Sequence, residues 1–181
     1  MECNAAADTL WQQLDNPAMR ADNLNYALMI YLLMGEYERA IAKMDAALAL
    51  TRAIGNEWGE TFAQTWIGAV FVELGEITRA LDVMHEAIRL GARSLNAPLI
   101  TTRADLARLY TDLGETERAL GLAQAALQTA AKRFPAMRHL PLGALIHALC
   151  ARGQVDAARA ALRASPTPLV LNENSRFRAN S

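Results

Sequence analysis

The chain has 181 residues, of which 52% are apolar and only 6% aromatic, and its net charge is −1. The near-zero charge argues against a general affinity for nucleic acid or anionic lipid. Two cysteines are too few for a disulfide framework or a cysteine-based zinc site. Abundant alanine with little proline and glycine favours close-packed helices over sheet.

Membrane and export signals are not found in the sequence. The longest unbroken apolar run covers residues 26–34, well short of the roughly 18 residues that cross a bilayer. The N-terminal residues show no basic region leading into an apolar stretch, as a secretory signal would. We therefore expect a cytoplasmic protein without a membrane partner.

The first predicted element is a helix near residues 5–14, which carries Leu10, Trp11 and Leu14. Arrays of helices need a cover at each end, because the terminal unit has no neighbour to bury its apolar face. We expect these three side chains to provide that cover, and we assign residues 1–20 to an N-terminal capping helix.

A glycine motif then recurs along the chain. The sequence Gly-Glu-x-x-Arg-Ala begins at Gly35, Gly75 and Gly114, and a degenerate copy begins at Gly153, so the period is 39–40 residues. Each glycine follows one apolar helical pattern and precedes another. Glycine tolerates the positive φ that closes a helix, so each motif marks a corner between two helices.

Apolar spacing of i, i+3, i+4 and i+7 predicts two helices in each repeat. The first helices are predicted at 22–34, 58–74, 97–113 and 137–152, and the second helices at 36–53, 76–91, 115–132 and 154–164. The corresponding repeats are 21–56, 57–95, 96–134 and 135–165, followed by a C-terminal tail, 166–181. The expected fold is all-α, a solenoid of antiparallel helix pairs.

Small and aromatic residues occupy fixed places in these hairpins. Gly68 and Ala107 of the first helices are followed three residues later by Phe71 and Tyr110. Alanine lies early in each second helix, at positions 40, 80, 119 and 158. Over residues 20–164 this pattern resembles the tetratricopeptide repeat (TPR) family, whose usual period is about 34 residues. The resemblance implies a right-handed superhelical solenoid of about four repeats that acts as a protein-interaction scaffold. The longer period is similar to the arrays of large ATP-dependent bacterial transcription activators.

Candidate chemistry is sparse. The histidines His85, His139 and His147 are scattered, without a His-x-x-x-His pair. His147 and Cys150 could form a nucleophile pair, but no third, orienting residue is evident, and an ordinary packed thiol fits Cys150 better. The Glu and Arg of each glycine motif fit a local surface ion pair. We therefore predict no catalytic residue, metal site or cofactor, and a protein that is not an enzyme.

The resemblance places the first helices along a concave groove. The predicted groove residues are Asn25, Met29, Leu32, Phe62, Thr65, Val72, Thr101, Arg108, Asp112 and His147. Their mixture of apolar floor and isolated polar groups suits an extended peptide or a helix, and Arg108 could fix one carboxylate of that partner. For Met29 and Phe62, packing between neighbouring repeats is an equal alternative.

Two functions remain open. The first is a scaffold that binds a protein or peptide and also self-associates, since the alanine-rich last helix leaves its outer side weakly covered. Charge polarity fits head-to-tail pairing, because residues 1–90 hold 13 acidic and 6 basic side chains, whereas residues 91–181 hold 6 and 12. The second is an effector-sensing segment of a bacterial regulator, with a small ligand in the groove.

Overall fold

The computed structural model describes residues 2–165, which form helices joined by short turns. The helices are α1 (Glu2–Gln13), α2 (Pro17–Leu33), α3 (Tyr37–Ala53), α4 (Glu57–Glu73), α5 (Ile77–Ser94), α6 (Ala97–Asp112), α7 (Thr116–Arg133), α8 (His139–Ala151) and α9 (Val155–Arg163). A single 3-10 turn, Pro135–Met137, precedes α8. The predicted tail, 166–181, lies outside the described residues. None of the helices just named is long and apolar enough to cross a bilayer.

The helices pack as four consecutive pairs. Within each pair the chain reverses, and the pairs stack so that α2, α4, α6 and α8 contact one another in a row. The second helices α3, α5 and α7 each pack on the first helix of the next pair. A continuous cluster of buried apolar side chains runs from Ala27 to Ala148, and Ile100, Ala126 and Ala130 form a smaller second cluster. The chain is an all-α solenoid of antiparallel helix pairs, as the repeat pattern predicted.

Glycine closes the first helix of every pair. Gly35, Gly75, Gly114 and Gly153 have φ between +72° and +81°, a backbone region that residues with a Cβ rarely adopt. At Gly75 the backbone N–H donates to the Val72 carbonyl at 3.0 Å. The following N–H donates to the Phe71 carbonyl at 2.9 Å, which completes the hydrogen-bond pattern of a glycine-capped helix end. The four predicted corners are confirmed.

The Glu and Arg of the glycine motif form local ion pairs, as predicted, in the first three repeats. Each arginine also lies over the aromatic ring of the preceding first helix. The guanidinium carbon of Arg79 is 4.0 Å from the Phe71 ring centroid, and that of Arg39 is 4.7 Å from the Tyr31 centroid. The motif therefore fastens the corner through cation–π contact as well as charge.

In each of the first three pairs, an asparagine caps the N-terminus of the first helix. The side-chain oxygens of Asn16, Asn56 and Asn96 accept a hydrogen bond from the backbone N–H three residues later. The cap at Asn16 is followed by Pro17 in the first turn, where a proline is tolerated because its missing N–H would have no partner. As a result, α2 begins five residues earlier than the predicted 22.

The first helix, α1, packs on α2 through a different face from the one predicted. Arg20 Nε donates to Asp8 Oδ1 at 3.0 Å, and Trp11 is half-buried. Leu10 and Leu14, however, are 55% and 66% exposed. The expectation that these two leucines cover the end of the array is wrong: of the three predicted side chains only Trp11 is half-buried, and a polar pair, Arg20 with Asp8, joins α1 to α2.

Gln64 carries a buried polar atom without a partner. Its side chain is in α4 and the residue is 3% exposed; Nε2 donates to Glu60 Oε1 at 3.3 Å, but Oε1 accepts no hydrogen bond within the described chain. The equivalent position 40 residues earlier is the buried Leu24. The fold therefore already holds a leucine at the position equivalent to Gln64 in the previous repeat.

We expect Gln64→Leu to raise the free energy of unfolding by about 1 kcal/mol, because it removes a desolvated carbonyl oxygen and buries more apolar surface. Urea titration followed by circular dichroism measures the change. The exposed Gln128 provides the control, since Gln128→Leu should alter stability by no more than about 0.5 kcal/mol. A loss of stability in Gln64→Leu would contradict the prediction.

Candidate functional site

The inner surface of the solenoid is formed by its row of first helices. On each of them, residues spaced at i, i+4, i+8, i+11 and i+15 lie on the face opposite the second helices. We call these positions the inner stripe. It comprises Ala18, Asp22, Tyr26, Met29 and Leu33 on α2, Trp58, Phe62, Trp66, Ala69 and Glu73 on α4, Ala97, Thr101, Asp105, Arg108 and Asp112 on α6, and Leu140, Ala144, His147 and Ala151 on α8. All of these side chains except Ala144, which is fully buried, are half-buried or exposed.

Four aromatic rings meet on the inner stripe, and we call them the aromatic cluster. Trp58 stacks on Phe62 with ring centroids 5.1 Å apart. Tyr26 and Trp66 meet Phe62 edge to face at 5.7 Å and 5.9 Å. Tyr26 is nevertheless 48% exposed and Trp58 39% exposed. The cluster thus combines ordered ring packing with a large apolar surface that faces solvent.

Local sequence and one buried hydrogen bond build this cluster. Trp58, Phe62 and Trp66 are four residues apart, so they share one side of α4. Asn25 of α2 is 1% exposed, and its Nδ2 donates to the Gly59 carbonyl at 3.1 Å. This bond ties α2 to the first turn of α4 and thereby holds the neighbouring Tyr26 against Phe62.

The other end of the inner stripe is polar. Arg108 Nη1 lies 2.6 Å from Asp105 Oδ1, and Arg108 Nη2 donates to the Leu140 carbonyl at 3.1 Å. Arg108 therefore links α6 to the start of α8. Because both Nη atoms have partners within the chain, less of the guanidinium is available for a partner's carboxylate than the sequence analysis assumed.

The predicted groove residues divide into two sets. Six lie on the inner stripe: Met29, Phe62, Thr101, Arg108, Asp112 and His147. Asn25 and Thr65 are each 1% exposed, and Thr65 Oγ1 lies 2.6 Å from Thr102 Oγ1 of α6. Leu32 and Val72 are half-buried against the core. Asn25 and Thr65 therefore join neighbouring first helices.

Three residues of the aromatic cluster were missed: Tyr26, Trp58 and Trp66. The prediction used the family's usual inward positions, which select only Phe62 from the four rings. The i, i+4, i+8 spacing of Trp58, Phe62 and Trp66 inside one predicted helix is a signal that could have found two of them.

Cys150 is exposed, so its predicted packing is wrong. The residue one repeat earlier, Thr111, is buried by α8, whereas no further first helix follows α8 among residues 2–165 to cover Cys150. His147 Nε2 lies 3.5 Å from Asp112 Oδ1, a neighbour that the sequence analysis did not identify. No hydrogen bond joins Cys150 to His147 in this part of the chain. Nor do three His, Cys, Asp or Glu side chains of the described segment gather where a metal ion could bind.

Comparison with known proteins agrees with this architecture. The tetratricopeptide repeat family model matches residues 99–134, the segment that contains most of α6 and all of α7. A comparison with curated proteins finds no significant match. The sequence likeness to the family is therefore concentrated in the third repeat.

Solved structures resemble the chain over most of its length. BtubC (BKLC) from P. vanneervenii superposes with a TM-score of 0.67 and 19% identity, over 81% of this chain and 62% of that protein, so the match spans less than two thirds of BtubC. The TPR-like repeats of a protein assigned as a kinesin light chain of Podosopora anserina superpose with a TM-score of 0.61 and 15% identity, over 90% and 91% of the two chains. At such low sequence identity, these similarities show the fold alone. The chain is a TPR-like helical solenoid, and its third repeat matches the tetratricopeptide repeat family.

Proposed function

We propose that this protein is a non-catalytic interaction scaffold that binds a peptide or a helix of a partner protein on its inner stripe. The aromatic cluster is the observation that carries this proposal. Exposed Trp and Tyr side chains that are already ordered by their neighbours are the residue types that most often dominate protein interfaces. Ring packing on Phe62 restrains Tyr26 and Trp58, so their ordering costs little entropy on binding.

The dimensions of the inner stripe suit a linear partner. Neighbouring packed helices are about 8–10 Å apart, so four first helices span about 30 Å. That length corresponds to about nine residues of extended chain or about twenty residues of helix. Both kinds of partner could contact the aromatic cluster and the polar end around Arg108 together.

The alternative of a small-ligand sensor finds less support in this geometry. Small-ligand sites usually enclose most of the ligand, whereas Tyr26 is 48% exposed on an open surface. A stabilising thermal shift with a metabolite would favour the sensor. The bacterial regulatory role, the similarity to ATP-dependent activators and the cytoplasmic location all remain predictions.

Self-association also remains a prediction. In α9, Val155 is 45% exposed and Leu162 is 44% exposed, because no helix covers the outer side of α9 in the segment 2–165. A second copy could bury that side. Light scattering on the purified protein would determine its molar mass.

We expect Trp58→Ala combined with Phe62→Ala to weaken partner binding by about tenfold or more, because the cluster loses its stacked centre. A library of random peptides, each long enough to span the inner stripe, can be displayed and selected on the wild-type protein. The dissociation constants of the selected peptides are then measured for both proteins by fluorescence anisotropy, and circular dichroism checks that the variant keeps its helices.

The matched control combines Leu74→Ala with Leu113→Ala. Both leucines are exposed apolar residues at helix ends, 40% and 46% exposed, and neither belongs to the inner stripe. The control should bind as the wild type does. The proposal fails if no peptide is selected, or if the selected peptides bind the aromatic variant as tightly as the wild type.

A further inference from the structure

We infer that the segment bound by the inner stripe is basic, with arginine or lysine side chains placed beside its apolar ones; this inference rests on the proposed function. The inner stripe carries four carboxylates, Asp22, Glu73, Asp105 and Asp112, against one guanidinium, Arg108, and one imidazole, His147, whose Nε2 lies 3.5 Å from Asp112 Oδ1. Arg108 is already paired with Asp105. The surface that a partner meets therefore has an excess of negative charge.

The inner-stripe carboxylates on α2 and α4, the two helices that carry the aromatic cluster, have no cation beside them. Asp22 lies one turn before Tyr26 on α2, and Glu73 lies seven residues after Trp66 on α4. Glu73 Oε2 accepts a hydrogen bond from the Tyr37 hydroxyl at 3.3 Å, which is a neutral partner. No arginine, lysine or histidine of residues 2–165 forms an ion pair with Asp22 or Glu73. Their charges remain to be balanced by solvent or by a partner.

Asp22 shows the cost of this arrangement. Burial raises the pKa of its carboxyl group, because the charged form loses water without gaining a cation. An arginine or lysine from a partner would supply the missing charge. The partner would thus gain more at Asp22 than at an ordinary exposed carboxylate.

The exposed rings favour the same chemistry. This chain already places arginines over aromatic faces at its corners, as Arg79 over Phe71 shows. Tyr26 and Trp58 on the inner stripe have no described cation over their rings. A guanidinium or ammonium group from the partner could stack on the exposed part of the Tyr26 or the Trp58 ring while its charge stays close to Asp22. An acidic segment would instead be repelled by Asp22 and Glu73.

The test uses the peptide selection described above, read for composition. Peptides that are selected by the wild type and lost with the Trp58→Ala/Phe62→Ala protein should contain at least about twice the arginine and lysine of the starting library. Their affinity should fall when the salt concentration is raised from about 50 mM to about 300 mM, since salt screens the carboxylates.

Charge-neutral variants locate the effect. Asp22→Asn combined with Glu73→Gln should weaken binding of the selected peptides by about tenfold. Glu38→Gln combined with Asp82→Asn removes the same charge from exposed positions off the inner stripe, and should change affinity by less than about twofold. Thermal melting confirms that both variants are folded.

The outcomes separate the inference from the proposed function. If the selected peptides depend on Trp58 and Phe62 but are acidic or uncharged, the basic partner is wrong and the interaction scaffold stands. Equal losses in the two charge variants would show that net charge acts without the inner stripe, and would also overturn the inference. If no selected peptide depends on the aromatic cluster, both proposals fall.

Discussion

Leu106→Ala is expected to lower the free energy of unfolding by about 2–5 kcal/mol. Leu106 is fully buried in α6 and belongs to the continuous core cluster. Its removal leaves a cavity between helices that contact α6 on both sides, and close-packed neighbours relax only partly into such a space. Urea titration followed by far-ultraviolet circular dichroism measures the loss.

Leu113→Ala provides the control at the end of the same helix, because Leu113 is the C-cap residue of α6 and is 46% exposed. We expect that substitution to change stability by no more than about 0.5 kcal/mol. Equal effects at the two leucines would contradict the placement of Leu106 in the core.

Loss of Leu106 should also affect cooperativity. In a solenoid each pair is stabilised mainly by its neighbours, so a weak third pair loosens the coupling between the two ends. The urea transition of Leu106→Ala should therefore be broader than that of the wild type. It would be measured as a smaller slope of the unfolding free energy against urea concentration. A transition of unchanged slope would indicate that the array still unfolds as one unit.

Local signals made the helix pairs predictable. A corner such as Gly75 needs only a glycine at φ +73° between two apolar helical patterns, and both are visible in the sequence. The start of α2 at Pro17 was also encoded locally by Asn16 and Pro17, but the predicted helix began later because its apolar pattern strengthens only after residue 22. The face that α1 uses could not be predicted in this way, since its partner is set by tertiary packing.

The inner stripe was harder to predict than the helices. Adjacent positions on a helix differ by about 100°, so Thr65 and Trp66 point in clearly different directions. The choice between them depends on the angle at which α4 meets α2 and α6, and no local pattern contains that angle. Thr65 pairs with Thr102 across α4 and α6, a contact 37 residues apart in sequence. On α4, the spacing of Trp58, Phe62 and Trp66 was the local sequence signal for the inner stripe.

The two helices of the second pair, α4 and α5, pack closely because small residues lie between them. The buried residues of α5 are Ala80, Met84, Ala87, Leu90 and Gly91, so three of these five residues are small. Opposite them, a Cβ added to Gly68 of α4 would lie 2.6 Å from Met84 Cγ. The methionine thus already occupies the room that the glycine leaves, and α4 and α5 have no space for a second large side chain.

Ala80→Leu should therefore destabilise the fold by about 1–3 kcal/mol, since Ala80 is fully buried and the extra carbons must push α4 and α5 apart. Ala92→Leu adds the same carbons on the exposed side of α5, and we expect it to shift stability by no more than about 0.5 kcal/mol. Thermal and urea unfolding of the two variants give the comparison. A fully tolerated leucine at position 80 would mean that alanine is not required for the approach of the two helices.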